Sequence, residues 1–352
     1  MREVTEVRGV GEVRGVREEL LDQARVCAAQ GSPMYAELLA RAADDADAGG
    51  PVADVLADRA SSALALRMLG TVHRIVLEGR APALAAHYPT AGGTADPLAA
   101  WPAFRDVLAR HTAEVRAGLA DAPQTNEVGR AAPLVGGLLA VAAATGLPVR
   151  LLEIGASAGL NLRADHYRLL SETGGYGPDS PVVLPDAWRG TPPKAVPLRI
   201  AERLGCDLVP LDAAAPEGRR RLLSYVWPDQ SARVARLRAA LEVAARVPAT
   251  VVRAGAGDFL DGLAPEPGAV TVVWHSVMMQ YLPDEEAARV RRHVEAAGAA
   301  ASSGAPVAHL AFEPPEAAHI TGTPLLTLRL WPGGERRVLG EAPPHGLPFT
   351  WY

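Results

Sequence analysis

The sequence predicts an α/β protein: a doubly wound parallel sheet preceded by an N-terminal helical domain. Three observations carry this. Short apolar runs recur at residues 151–154, 206–212, 250–253, 270–274 and 305–312, with helical spacing or turn signals between them. The first run leads into a glycine-containing turn that opens a helix. The first third of the chain keeps helical spacing almost throughout.

Composition sets the outer limits. Of 352 residues, 49% are hydrophobic and 21% charged, enough apolar surface for a large core. A net charge of −5 argues against a nucleic-acid partner, which needs a basic surface. Lys194 is the only lysine, a bias that with the abundant alanine points to codon usage. Cys27 and Cys206 are far apart, and the histidines show no His-x-x-x-His spacing, so neither a disulfide framework nor a metal site is expected. No apolar run reaches spanning length and no secretory signal is visible, so the expectation is a cytoplasmic protein with no membrane partner and a small-molecule substrate. Oligomeric state is not legible.

Taken in order, residues 1–16 form an expected disordered tail. Residues 17–130 form the expected helical cap, with helices near 34–43, 61–77 and 101–120. Ser32 and Pro33 start one of them. His73 falls in a helix and is expected to be packed there. Tyr225 and Trp227 are expected to pack in a core, with a pocket lining as the alternative. The α/β domain is expected over 131–352, with an insertion near 165–200 forming a hairpin or lid. Trp331-Pro332-Gly333-Gly334 joins two alternating runs as a hairpin.

The most informative stretch is Glu153-Ile154-Gly155-Ala156-Ser157-Ala158-Gly159-Leu160-Asn161. An acid ends the strand, Gly155 turns the chain, small residues leave room, and Gly159 allows close packing. The N–H groups of the following helix would face an electron-rich ligand. Residues 124–130, Gln-Thr-Asn-Glu-Val-Gly-Arg, crowd the start of an apolar helix over 131–145. They either cap it locally or meet the glycine turn. The helix must return antiparallel to the next strand, which brings Asn126, Glu127 and Arg130 to the strand's carboxyl end. Pure capping predicts Glu127 and Arg130 in solvent and under about 1 kcal/mol for Glu127→Gln. A pocket role predicts lost turnover with little change in melting temperature. Asp212 ends the second apolar run, Asp258 follows the third, and His275 ends the fourth.

The pattern Glu-x-Gly-x-x-x-Gly at Glu153–Gly159 resembles the first motif of class I S-adenosylmethionine-dependent methyltransferases, with Ser157 in place of the middle glycine. The order Gly257-Asp258, short helix, apolar strand, His275 is similar to that family too. The resemblance implies S-adenosylmethionine as cofactor, held by Glu153, Gly155, Ser157, Gly159, Asn161, Asp212 on the ribose and Asp258 on the adenine. It also implies a site at which His275 faces the reacting centre and acts as base; the placement of the helix start adds Asn126, Glu127 and Arg130 as the residues expected to orient substrate. Beyond this core, the chain resembles an uncharacterised bacterial family, a domain of unknown function. It shares the motifs at 124–130, 153–161, 273–276 and 331–334. The fold used for non-methylating chemistry, such as elimination or intramolecular cyclisation, is the alternative enzyme reading. A non-catalytic ligand-binding protein is the second.

Overall fold

The computed structural model describes residues 15–58, 63–94, 96–172, 174–315 and 322–352. Most of the expected tail therefore lies outside the described residues, although Val16 already opens a helix. The chain divides into two compact units, one of residues through Pro123 together with Ser224–Ser231, the other of Gln124–Leu223 and Ala232–Tyr352. The boundary thus falls seven residues before the expected 130/131, so that residues 124–130 belong with the sheet.

The first unit is helical: α1 (Val16–Ala29), α2 (Pro33–Asp47), α3 (Pro51–Leu56), α4 (Leu64–Leu77), α5 (Pro82–Ala85), α6 (Pro97–Arg110) and α7 (Thr112–Gly118). The single helix expected over 101–120 is two, divided at His111. Ser32 caps α2 by accepting from the Tyr35 amide, and its hydroxyl donates to Asp229 at 2.7 Å. Leu38, Met68, Phe104 and Trp227 are buried in one apolar cluster. Tyr225 lies against Gly70, where any side chain would collide with the ring. His73 is fully buried, with Nδ1–H donating to the Ser224 carbonyl and Nε2 accepting from the Thr90 hydroxyl. Burial pushes its pKa down to about 4, which suits a neutral packing residue.

The second unit begins with α8 (Ala131–Thr145) and β1 (Val149–Ile154). The insertion contributes β2 (Arg168–Ser171), β3 (Gly174–Tyr176), β4 (Val183–Leu184) and β5 (Trp188–Arg189), with β2 and β3 forming an antiparallel hairpin. Then follow β6 (Ile200–Asp207), α9 (Pro216–Ser224), α10 (Ser231–Ala244), β7 (Thr250–Arg253), α11 (Ala256–Phe259), β8 (Val270–Ser276), α12 (Asp284–Ala299) and β9 (Val307–Glu313). The chain ends in β10 (Leu325–Trp331), β11 (Arg336–Glu341) and β12 (Phe349–Trp351).

Among the described residues nine of these strands build one mixed sheet in the order β5-β12-β11-β10-β9-β8-β1-β6-β7, and the other three form a small sheet in the order β3-β2-β4. From β9 to β7 all pairings are parallel. Chain order runs outward in both directions from β1, so β1 and β8 flank the point where the winding reverses. An antiparallel meander through β10, β11 and β12 extends the other side.

Alternation sends successive side chains to opposite faces. Ile154, Cys206, Val273 and Val307 pack with Leu260, Val290 and Val294 of the α11–α12 layer. On the other face Gly137 of α8 lies against Leu310, and Gly136 against Trp351. The stretch Val128–Thr145 is long and apolar enough by composition to cross a membrane, but 72% of it is buried within the protein.

One expected strand is displaced. The second strand ends at Asp207 rather than Asp212. Glu202 and Arg203 obscured it in the sequence, because charges seldom mark an inner strand. Here each is paired, Glu202 with Arg150 and Arg203 with Asp165.

Candidate functional site

The site grows from the turn after β1. Gly155 and Gly159 take left-handed backbone, φ +71° and +68°. A side chain at Gly159 would strike Val251, the close approach expected there. Ser157 is also left-handed, at φ +53°. A non-glycine residue in this conformation costs about 1–2 kcal/mol. Its bonds help to offset this: the Ser157 amide donates to Asp207 at 2.9 Å, and its hydroxyl donates to the Gln124 side-chain carbonyl.

The segment before α8 closes on this turn. The Asn126 side-chain oxygen accepts from the Ala158 and Leu160 amides, both at 3.1 Å. In return Asn161 donates to the Glu127 carbonyl at 3.2 Å. Asn126 is itself at φ +27°, and Gln124, Asn126, Ser157 and Asn161 are all buried. Arg163 adds a third hold, donating to the Gly159 carbonyl at 2.7 Å. Gln124 and Asn126 thus clasp the glycine turn, while Glu127 caps the short helical turn Val128–Arg130 that follows.

Glu127 goes further in. Its carboxylate accepts from Gly129 N at 3.0 Å and from Arg233 Nε at 2.7 Å, with Arg236 at 4.0 Å and His345 Nδ1 at 3.5 Å. Burial alone would raise its pKa, but the charges of Arg233 and Arg236, with the Gly129 amide, hold it down to about 2. Neither side of the sequence expectation fits: Glu127 is not in solvent, and its substitution would not leave stability alone. Burial next to Arg233 likewise lowers His345 to about 3, so that its ring is neutral. Arg130 donates from Nη1 to the Ser276 carbonyl and from Nε to the Pro344 carbonyl, both at 3.0 Å. It thereby ties the start of α8 to the end of β8. Gly129 has no room for a side chain, because the His345 carbonyl lies 2.2 Å from where a Cβ would be.

At the end of β8, His275 is buried and its Nδ1–H donates to Glu313 Oε1 at 2.7 Å. Glu313 ends β9, next to β8, and also accepts from the Met278 amide. This fixes His275 with Nε2 as acceptor, facing His309 Nε2 at 2.9 Å. Burial and then the His275 ring lower His309 to about 3, so a neutral His309 donates into His275. The glycine turn adjoins this row: a side chain on Gly155 would meet Met278, three residues past His275, at 3.3 Å.

Three expected ligand residues stand elsewhere. Asp212 is exposed and accepts from the Ala214 amide, the turn-starting role open to any Asp. The acid at the strand end is Asp207, whose carboxylate already accepts from the Ser157 and Val209 amides. Asp258 is exposed in an ion pair with Arg289 at 2.6 Å. Glu153 is buried beside Trp274, and burial raises it to about 8, offset only in part by Trp274 and Arg130. It is a neutral acid inside the sheet, not a group presented by the turn.

Sequence reading missed Asp207, His309, Glu313, Arg233, Arg236 and His345. A local signal existed for Glu313, which ends its strand before Pro314 just as His275 ends the neighbouring one. No local signal existed for Arg233 or His345, which come together only through the fold.

Fold and site together define an α/β protein with polar chemistry gathered at the carboxyl ends of its parallel strands. Residues 17–351 match the family described as "Uncharacterized protein conserved in bacteria (DUF2332)", and the chain belongs to that family. No curated protein and no solved structure matches it.

Proposed function

We propose that the protein is an enzyme acting on a small molecule, with a nucleoside-type cofactor, S-adenosylmethionine, against the β1 turn and His275 as proton acceptor. The observation that carries this is the pairing of a left-handed glycine turn with an imidazole oriented by Glu313 on the adjacent strand, at the point where the winding reverses. Gly155 is exposed and suits close approach of a ligand, while Gly159 packs on Val251. When bound, S-adenosylmethionine supplies an electrophilic methyl group. The chain's own part is to hold the substrate in line and receive its proton at His275 Nε2, once the His309 N–H that this nitrogen accepts has turned away, while Nδ1–H stays on Glu313.

Asp212 and Asp258 do not fit a cofactor-holding role, and Asp207 is taken up by backbone amides. This favours a second reading in which the same base and turn serve a non-methylating reaction such as elimination. Calorimetric titration with S-adenosylmethionine and S-adenosylhomocysteine separates the two. Saturable heat that Gly155→Trp abolishes supports the first reading. Wild-type protein with neither heat nor a melting shift at millimolar ligand removes S-adenosylmethionine from the account and leaves the second.

A further inference from the structure

The Glu127 cluster has more positive charge than its own carboxylate can match. Arg233 and Arg236 pair with Glu127, Arg130 feels both Glu127 and Glu313, and His345 is neutral, which leaves three guanidinium groups against two carboxylates. Arg130 bonds only to carbonyl oxygens. Arg236 reaches Glu127 at 4.0 Å, and its Nε–H is buried with no acceptor. Such a donor costs about 1–3 kcal/mol when left unmet, and buried charges are normally paired.

The position of the arginines is also against local preference. Arg233 and Arg236 lie in the first turns of α10, where the helix dipole disfavours cations. Being three apart, they share one side of the helix. Glu127 answers part of this charge, and an anion would answer the rest.

We infer that Arg236 and Arg130, with Arg233 behind them on Glu127, form the recognition site for an anionic group, carboxylate or phosphate, on the substrate. This deepens the enzyme reading and rests on it for the word substrate, but not for the site itself. Arg130 spans from this cluster to the Ser276 carbonyl, one residue beyond His275. Guanidinium groups suit the task because they match either oxyanion with paired N–H donors.

The test uses the full chain without S-adenosylmethionine, so that its outcome is independent of the cofactor. Inorganic phosphate and succinate are titrated separately by calorimetry at constant ionic strength, with chloride as the balancing salt. The expected result is saturable binding of one of them: phosphate alone would indicate a phosphorylated substrate, succinate alone a carboxylate. Arg236→Gln should weaken that binding at least about tenfold, equal to about 1.4 kcal/mol, while Arg236→Lys recovers part of it. Arg236 is chosen because Arg233 remains to pair Glu127. Should Arg236→Gln fail to fold, Arg130→Gln is read in the same way. Wild-type protein that binds neither anion, or a folded Arg236→Gln that binds as wild type does, overturns the inference.

Discussion

Glu127 and Glu153 are both carboxyls sealed inside the second unit, one in the clasp before α8 and the other on β1, yet burial has opposite outcomes. Glu127 is held ionised at about 2 by Arg233 and Arg236, whereas Glu153, with no arginine bonded to it among the described residues, is pushed up to about 8. Both are acids adjoining recognisable motifs, and from sequence both looked like ligand contacts. The difference teaches that partners, not burial, decide what a buried acid can do. Glu127 organises cations around a site, while Glu153 is a neutral hydrogen-bonding group within the sheet.

Removing Glu127 should break the comparison most severely. Glu127→Ala leaves Arg233 and Arg236 without their carboxylate, and urea denaturation at neutral pH should show a loss of about 3–5 kcal/mol. The sign with pH follows from a folded pKa lowered from 4.5 to about 2. Stability from this group is present above the unfolded value and is lost as pH falls through that window. The variant should therefore show a flatter acid limb than wild type.

Glu153→Gln sharpens the other side. A folded pKa raised from 4.5 to about 8 means that the unfolded chain ionises first as pH rises, so the group costs stability increasingly across that window. Relative to its own value at pH 4, the variant should gain on wild type by roughly 4 kcal/mol at pH 8. Parallel pH dependences in thermal melts would show that Glu153 is not held neutral.

Asn126→Ala removes two bonds to the glycine turn and leaves alanine at a positive φ. A loss of about 2 kcal/mol is expected, with faster amide exchange at Ala158 and Leu160. The smallest effect is expected at Asp258, whose pair with Arg289 is exposed. Asp258→Ala should cost under about 1 kcal/mol and leave ligand titrations unchanged.

Much of the sheet was legible, because β1, β7, β8 and β9 are short apolar runs bounded by turns. Helix α8 was legible to the residue, since Thr145-Gly146 is a sharp stop and Gly146 caps it at φ +66°. Strand β6 was not, because its charged residues find partners only in the folded sheet. At the site, the turn and His275 could be read as local patterns. The clasp of Gln124 and Asn126 on that turn was half visible, as a polar crowd in the right place. The Glu313–His275–His309 row and the arginines about Glu127 depend on contacts 34 to 109 residues apart, which no local spacing encodes.

The central claim is that ligand binds where the β1 turn meets His275. It is tested most directly by imidazole NMR during titration with S-adenosylhomocysteine, with His275→Asn and His73→Asn used to assign the two rings. The account predicts that the His275 resonances shift saturably while those of His73, packed in the helical unit, stay fixed. An unmoved His275 under conditions where the ligand demonstrably binds would contradict it.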